Sequence, residues 1–109
     1  MSPNVLIALC TCPDAAVAGR IAEALVGEGL AACVNVLPGI TSVYLWNGEV
    51  QRGSEVLLLI KTTQARLAEL TDRVRQLHPF ELPEVVAVSV SGGLPDYLQW
   101  VITCTSRDT

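Results

Sequence analysis

The sequence predicts an α+β sandwich of order β-α-β-β-α-β, closed by a short terminal helix. Three observations carry this expectation. Asn47-Gly48 joins two β-rich runs within Ile40–Thr63, and Asn-Gly is the strongest short hairpin signal because a type I′ turn needs two successive residues at positive φ. Two other stretches repeat apolar residues at helical spacing. Finally, Val5–Leu9, Val56–Ile60 and Val85–Val88 are apolar with little alternation, which means that both sheet faces lose water there.

Val5–Cys10 reads as a buried first strand. Pro13 and Asp14 then mark a helix start, with Asp14 suited to capping or to the positive end of the helix dipole. Val17, Ile21, Ala24 and Leu25 form its apolar stripe, and Gly27 and Gly29 end it. Leu30–Val36 is a second strand. Pro38-Gly39 either separates it from the hairpin or interrupts one long bent strand. In the hairpin, Val43 and Leu45 share one face, and Ser42, Tyr44 and Trp46 the other. The returning run starts polar, passes Gly53 and becomes apolar from Val56 to Ile60.

Thr62 or Thr63 is expected to cap the second long helix. Leu67, Leu70, Val74 and Leu77 form its stripe, with Arg66, Glu69, Asp72, Arg73 and Arg75 mostly outside. Glu69 and Arg73 stand four apart, a pairing worth a few tenths of a kcal/mol. His78-Pro79 closes the helix, because the residue before proline disfavours helical geometry. Val85–Val90 is the last strand. After Gly92-Gly93, Pro95 opens a third helix with Tyr97, Trp100, Val101 and Cys104 on one face.

This order is the split βαβ, or ferredoxin-like, arrangement. It places both long helices on one face of a four-stranded antiparallel sheet. Beyond the reach of the short third helix, the other face has no cover. An apolar surface of that extent usually marks association, so the residues predict an obligate homo-oligomer.

The 109 residues suit one domain, and 50% are apolar against 17% charged. No segment approaches the roughly 18 uninterrupted apolar residues of a membrane-spanning helix. Met1–Asn4 carries no basic residue and Val5–Leu9 is too short for a secretory segment, so the chain is expected in the cytosol. A net charge of −4 argues against a nucleic-acid partner. None of the four cysteines forms a Cys-x-x-Cys pair, which removes zinc-ribbon and thioredoxin-type readings. Cys33 and Cys104 are expected to be small core residues.

Several separated motifs, in order, resemble the CutA divalent-cation tolerance family. They are L-C-T-C-P-D at Leu9–Asp14, G-L-A-A-C-V-N at Gly29–Asn35, S-V-Y-L-W-N-G-E at Ser42–Glu49, L-I-K-T-T at Leu59–Thr63, H-P-F-E-L-P-E at His78–Glu84 and Y-L-Q-W at Tyr97–Trp100. The resemblance implies a ferredoxin-like subunit in a tight homotrimer, with the long hairpin reaching onto a neighbour. It also implies a role in tolerance of divalent cations, copper in particular, and no enzymatic reaction. Copper or another divalent cation would then be a ligand that the fold does not require.

Cys10, Cys12 and His78 are the metal candidates. Strand one ends at the edge where the second long helix also ends, so these side chains can meet. Thiolate and imidazole suit copper or zinc, and a nearby helix start lowers a thiol's pKa. In some relatives a cysteine acts with a His-His pair before the proline. Cys10 and His78 match two of those positions, while Leu77 replaces the first histidine. Cys12 and Glu55 are weaker candidates. Tyr44, Trp46 and Trp100 either line a cleft between subunits or pack the interface, and Lys61 either reaches solvent or faces an anion there. Hydrolase, P-loop and zinc-protease motifs are absent, as is the aromatic-basic signature of RNA-binding strands. The alternatives are a PII-like signalling trimer binding a small ligand between subunits, and a non-catalytic protein scaffold.

Overall fold

The structure, a computed structural model, describes residues 5–106; the Met1–Asn4 stretch lies outside them. Its elements are β1 (Val5–Cys12), α1 (Ala15–Gly27), β2 (Cys33–Trp46), β3 (Glu49–Thr63), α2 (Leu67–Leu77), β4 (Val86–Ser89) and α3 (Pro95–Cys104). The strands form one sheet in the order β2-β3-β1-β4, with every neighbouring pair antiparallel. The predicted ferredoxin-like order is therefore present, with β3 inserted between β1 and β2.

The core lies between the sheet and the two long helices. In the register, Ala8 faces Ile60, Cys10 faces Leu58 and Cys12 faces Val56. Side chains alternate along a strand, so these six share one face. They pack with Val17, Ile21 and Leu25 of α1 and with Leu70 and Val74 of α2. Asp14 caps α1 as expected: the Val17 N–H donates to its Oδ1 at 2.9 Å, an interaction worth about 1 kcal/mol.

The hairpin turn has Asn47 at φ 52° and Gly48 at φ 79°, as a type I′ turn requires. Of the two readings of Pro38-Gly39, one bent strand is realised. The register passes from Leu37 opposite Leu57 to Ile40 opposite Glu55, so β2 carries one extra residue there. Proline brings no N–H to the ladder and Gly39 takes φ 82°, which together make a bulge. The long hairpin stretches the chain to 45 × 25 × 22 Å. Its radius of gyration, 14.5 Å, exceeds the roughly 13 Å of a compact 100-residue domain.

Several local expectations are corrected. Neither threonine caps α2. The Thr62 hydroxyl donates to the Leu30 carbonyl at 2.8 Å and Thr63 meets the Thr105 hydroxyl at 3.3 Å, while a single 3-10 turn, Gln64–Arg66, leads into the helix. Arg66 is buried rather than outward: its Nε donates to the Thr105 carbonyl at 2.7 Å and its Nη1 to Glu69 at 3.1 Å. Arg73 forks onto Glu28, with Nε and Nη2 both 2.9 Å from its carboxylate, so its strong contact ties α2 to the end of α1. Cys33 is half-buried rather than core, while Cys104, also half-buried, packs against the cluster of Val5, Ala32 and Val101. On α3, Val101 is buried while Tyr97 and Trp100 stay exposed.

The face opposite α1 and α2 is partly open. α3 covers one corner, where Val101 packs with Val5 and Ala32. Beyond it, Leu9, Leu57 and Leu59 are only half-buried, and Val86 and Val88 are 51% and 54% exposed. The last strand is thus shorter than expected and not buried on this side. At the hairpin tip, Leu45 is 69% and Val50 74% exposed.

Candidate metal centre and the neighbouring cavity

Cys10 and Cys12 stand two apart on β1, so strand periodicity puts both thiols on the helix-covered face. His78 reaches them from the end of α2, where its extended backbone terminates the helix. One ligand atom from each of the three residues lies within 4.8 Å of the others, and all three residues are buried. The expected meeting of Cys10 and His78 therefore occurs, and Cys12 joins on equal terms. Glu55 does not. It follows the opposite parity to Val56, lies on the other sheet face and makes no ion pair among the described residues.

The imidazole is held at both nitrogens. Nε2 lies 2.8 Å from the Thr11 carbonyl and the Phe80 N–H donates to Nδ1 at 3.1 Å. A carbonyl only accepts, so Nε2 carries the proton and the ring is the neutral tautomer. The Phe80 ring lies 4.7 Å from the imidazole, tilted by 58°. The Cys10 thiol lies 3.8 Å from the Thr11 carbonyl, to which it donates, and the two thiols act on one another. The hydrogen bond to Cys12 holds Cys10 far above the ordinary thiol range, reinforced by burial and by the negative field of Cys12, Glu84 and Glu55. The same bond lowers Cys12, against burial and the charges of Glu55 and Asp14. The two thiols therefore titrate as a pair, the proton of Cys10 being much the harder to remove.

On the other side of β1, a cavity of about 610 Å³ opens between the hairpin and the loop after α2. Tyr44, Trp46 and Phe80 supply aromatic wall, and Glu55, Glu81 and Glu84 supply carboxylates. Thr11 belongs to both places: its residue lines the cavity while its carbonyl holds His78. Tyr44, Trp46, Lys61 and Trp100, expected at a cleft or interface between subunits, lie at different places on the single chain. Only Tyr44 and Trp46 line this cavity. Lys61 hydrogen-bonds Asn35, and Trp100 sits on α3 with its ring 5.5 Å from Tyr97. Glu81 and Glu84 had a legible signal, two carboxylates spaced around Pro83 next to the helix end.

The family profile described as CutA1 divalent ion tolerance protein matches residues 6–104. The chain belongs to the CutA1 family. A divalent-cation tolerance protein CutA from Thermus thermophilus is 50% identical over 95 residues, covering 87% of this chain and 92% of that one. The mouse protein CutA is 49% identical over 98 residues, 90% of this chain but 55% of that protein. The chain thus spans little more than half the length of that animal relative. A solved structure of the Thermus thermophilus divalent cation tolerance protein superposes with a TM-score of 0.92 at 47% identity, covering 94% of this chain and 99% of the other. The CutA1 fold therefore holds across the β-sheet, the hairpin and all three helices.

Proposed function

We propose that this chain is a non-catalytic divalent-cation tolerance protein that assembles as a cytosolic homotrimer and binds copper or a related ion weakly. The observation that carries the metal reading is the convergence of Cys10, Cys12 and His78 within 4.8 Å, donors of the softness copper prefers. Binding is weak because it must work against what is already made: a buried thiol whose proton is hard to remove and an imidazole hydrogen-bonded at both nitrogens. The free cysteines among the described residues support a reducing compartment, and the half-covered sheet supports assembly. Calorimetric titration with Cu(II) tests the metal reading. Wild type is expected to bind at least tenfold more tightly than the Cys10→Ala, His78→Ala double variant. Equal affinities would remove the cluster from the protein's function.

A second reading, a signalling trimer with a small ligand between subunits, is favoured by the cavity beside Tyr44 and Trp46. Its three carboxylates repel phosphate and favour a cationic group against the aromatic wall. Thermal-shift screening separates the two classes of ligand: amines should raise the melting temperature and nucleotides should leave it unchanged. Stabilisation by nucleotides alone would refute this account of the cavity.

A further inference from the structure

We infer that His78 is a positioning residue for the cavity beside it: the imidazole is the strut that holds two of the cavity's sides at the spacing an organic cation needs. That occupant is the one in the second reading above, on which this role rests. The cavity has three sides. The hairpin supplies one with Trp46 and Glu55, β1 a second with Thr11, and the loop after α2 the third with Phe80, Glu81 and Glu84.

The sheet itself joins the first two sides. Thr11 pairs with Leu57 on β3, the strand that carries Glu55 and runs into the hairpin. The loop has no such tie. β4 pairs with β1 only from Leu6 to Leu9, so its ladder stops short of Thr11. Among the described residues, the only hydrogen bond made by residues 79–85 is the one from the Phe80 N–H to Nδ1 of His78, at 3.1 Å.

The other nitrogen of the same ring donates to the Thr11 carbonyl at 2.8 Å. One imidazole, only 6% exposed, therefore spans from the β1 side to the loop side, with the Phe80 ring 4.7 Å from it. An aromatic ring is rigid, so it sets how far Phe80, Glu81 and Glu84 stand from Thr11 and the hairpin. A loop held in place before binding costs less to order when a ligand arrives. Carboxylates stand on both the hairpin and the loop, and the lining residues include no basic side chain. A cation that touches both draws the loop toward the hairpin, and that load falls on the two bonds of His78. The coupling runs both ways: what the ring does for the ligand, the ligand does to the ring.

Spermidine, titrated calorimetrically into the whole untagged chain with EDTA present, tests the role free of any metal ion. Wild type should bind it beyond the screening effect of sodium chloride at equal ionic strength. His78→Asn puts an acceptor where Nδ1 stands and keeps the Phe80 bond; His78→Gln puts a donor where Nε2 stands and keeps the Thr11 bond. Neither removes a carboxylate, so non-specific attraction of the polyamine is the same in all three proteins. Both variants should bind at least tenfold more weakly, because a strut cut at either end no longer spans. A second readout depends on no variant folding. His78 is the chain's single histidine, so its two ring nitrogens, selectively labelled with 15N, give unambiguous signals. Both should shift when wild type is saturated with spermidine, whereas a merely structural histidine would leave them fixed. Unmoved ring signals, or either variant binding within twofold of wild type, overturn the inference and leave the cavity reading standing. A wild type that does not bind spermidine removes the cavity reading, and the role of His78 falls with it.

Discussion

Replacing Leu59 with glutamate is expected to convert a stable trimer into single subunits that unfold readily. Leu59 lies near the middle of the sheet face that α1 and α2 do not cover, with Leu9 and Asn35 as its cross-strand partners. In the subunit it is half-buried, and the neighbouring Val86 and Val88 on β4 continue the apolar surface. If sister subunits close this face, a carboxylate at 59 is buried without a cation opposite. The nearest lysine, Lys61, is already engaged with Asn35. An unpaired buried charge costs several kcal/mol, and it would be repeated at every copy of the interface. Sedimentation should show wild type as a trimer of 11.6 kDa subunits at nanomolar concentration and Leu59→Glu as a monomer. Well-folded wild-type monomers at that dilution would remove the trimer from the proposal. Melting temperatures must be compared at one protein concentration, since assembly makes them concentration-dependent.

Parity along strands explains much of what the chain reveals before its structure is known. Asn47-Gly48 and Asp14 are legible because their chemistry is local: positive φ in one case, a carboxylate capping an N–H three residues on in the other. The ferredoxin-like order follows from these signals and the two helical stripes. The cap of α2 was not legible, because the hydroxyls of Thr62 and Thr63 are taken by Leu30 and Thr105, residues more than 30 positions away. Arg73 shows the same limit, since Glu28 rather than a helix neighbour receives its fork. At the site, Cys10 and His78 were visible from the convergence of two element ends. Cys12 deserved equal rank on period-two grounds alone, being i+2 from Cys10. Glu55 deserved less, since its parity sets it opposite Val56. The role of Thr11 had no signal, because a backbone carbonyl carries no residue type.

Leu58→Ala is expected to be among the most damaging single truncations, and it connects the core to the thiols. Leu58 is fully buried and sits directly across from Cys10 in the β1–β3 register. Truncating a buried leucine costs about 2–5 kcal/mol, most where the surroundings cannot collapse. Here they cannot: Ile60 and Val56 flank the site on the same strand face, and α1 and α2 pin it from above. For a domain of this size each kcal/mol lowers the melting temperature by roughly 4–8 °C, so a drop of at least about 8 °C should appear in a thermal scan at fixed concentration. The void adjoins a sulfur that has no exposed surface in the intact protein. Cys10 and Cys12 should therefore resist a thiol reagent in wild type and react in Leu58→Ala under native conditions, with Cys33 and Cys104 as the half-buried internal reference. Unchanged thiol protection alongside a large stability loss would mean that the void closes by helix movement. In that event the sulfur pair is held by β1 and His78 alone, and its spacing is independent of the packing behind it.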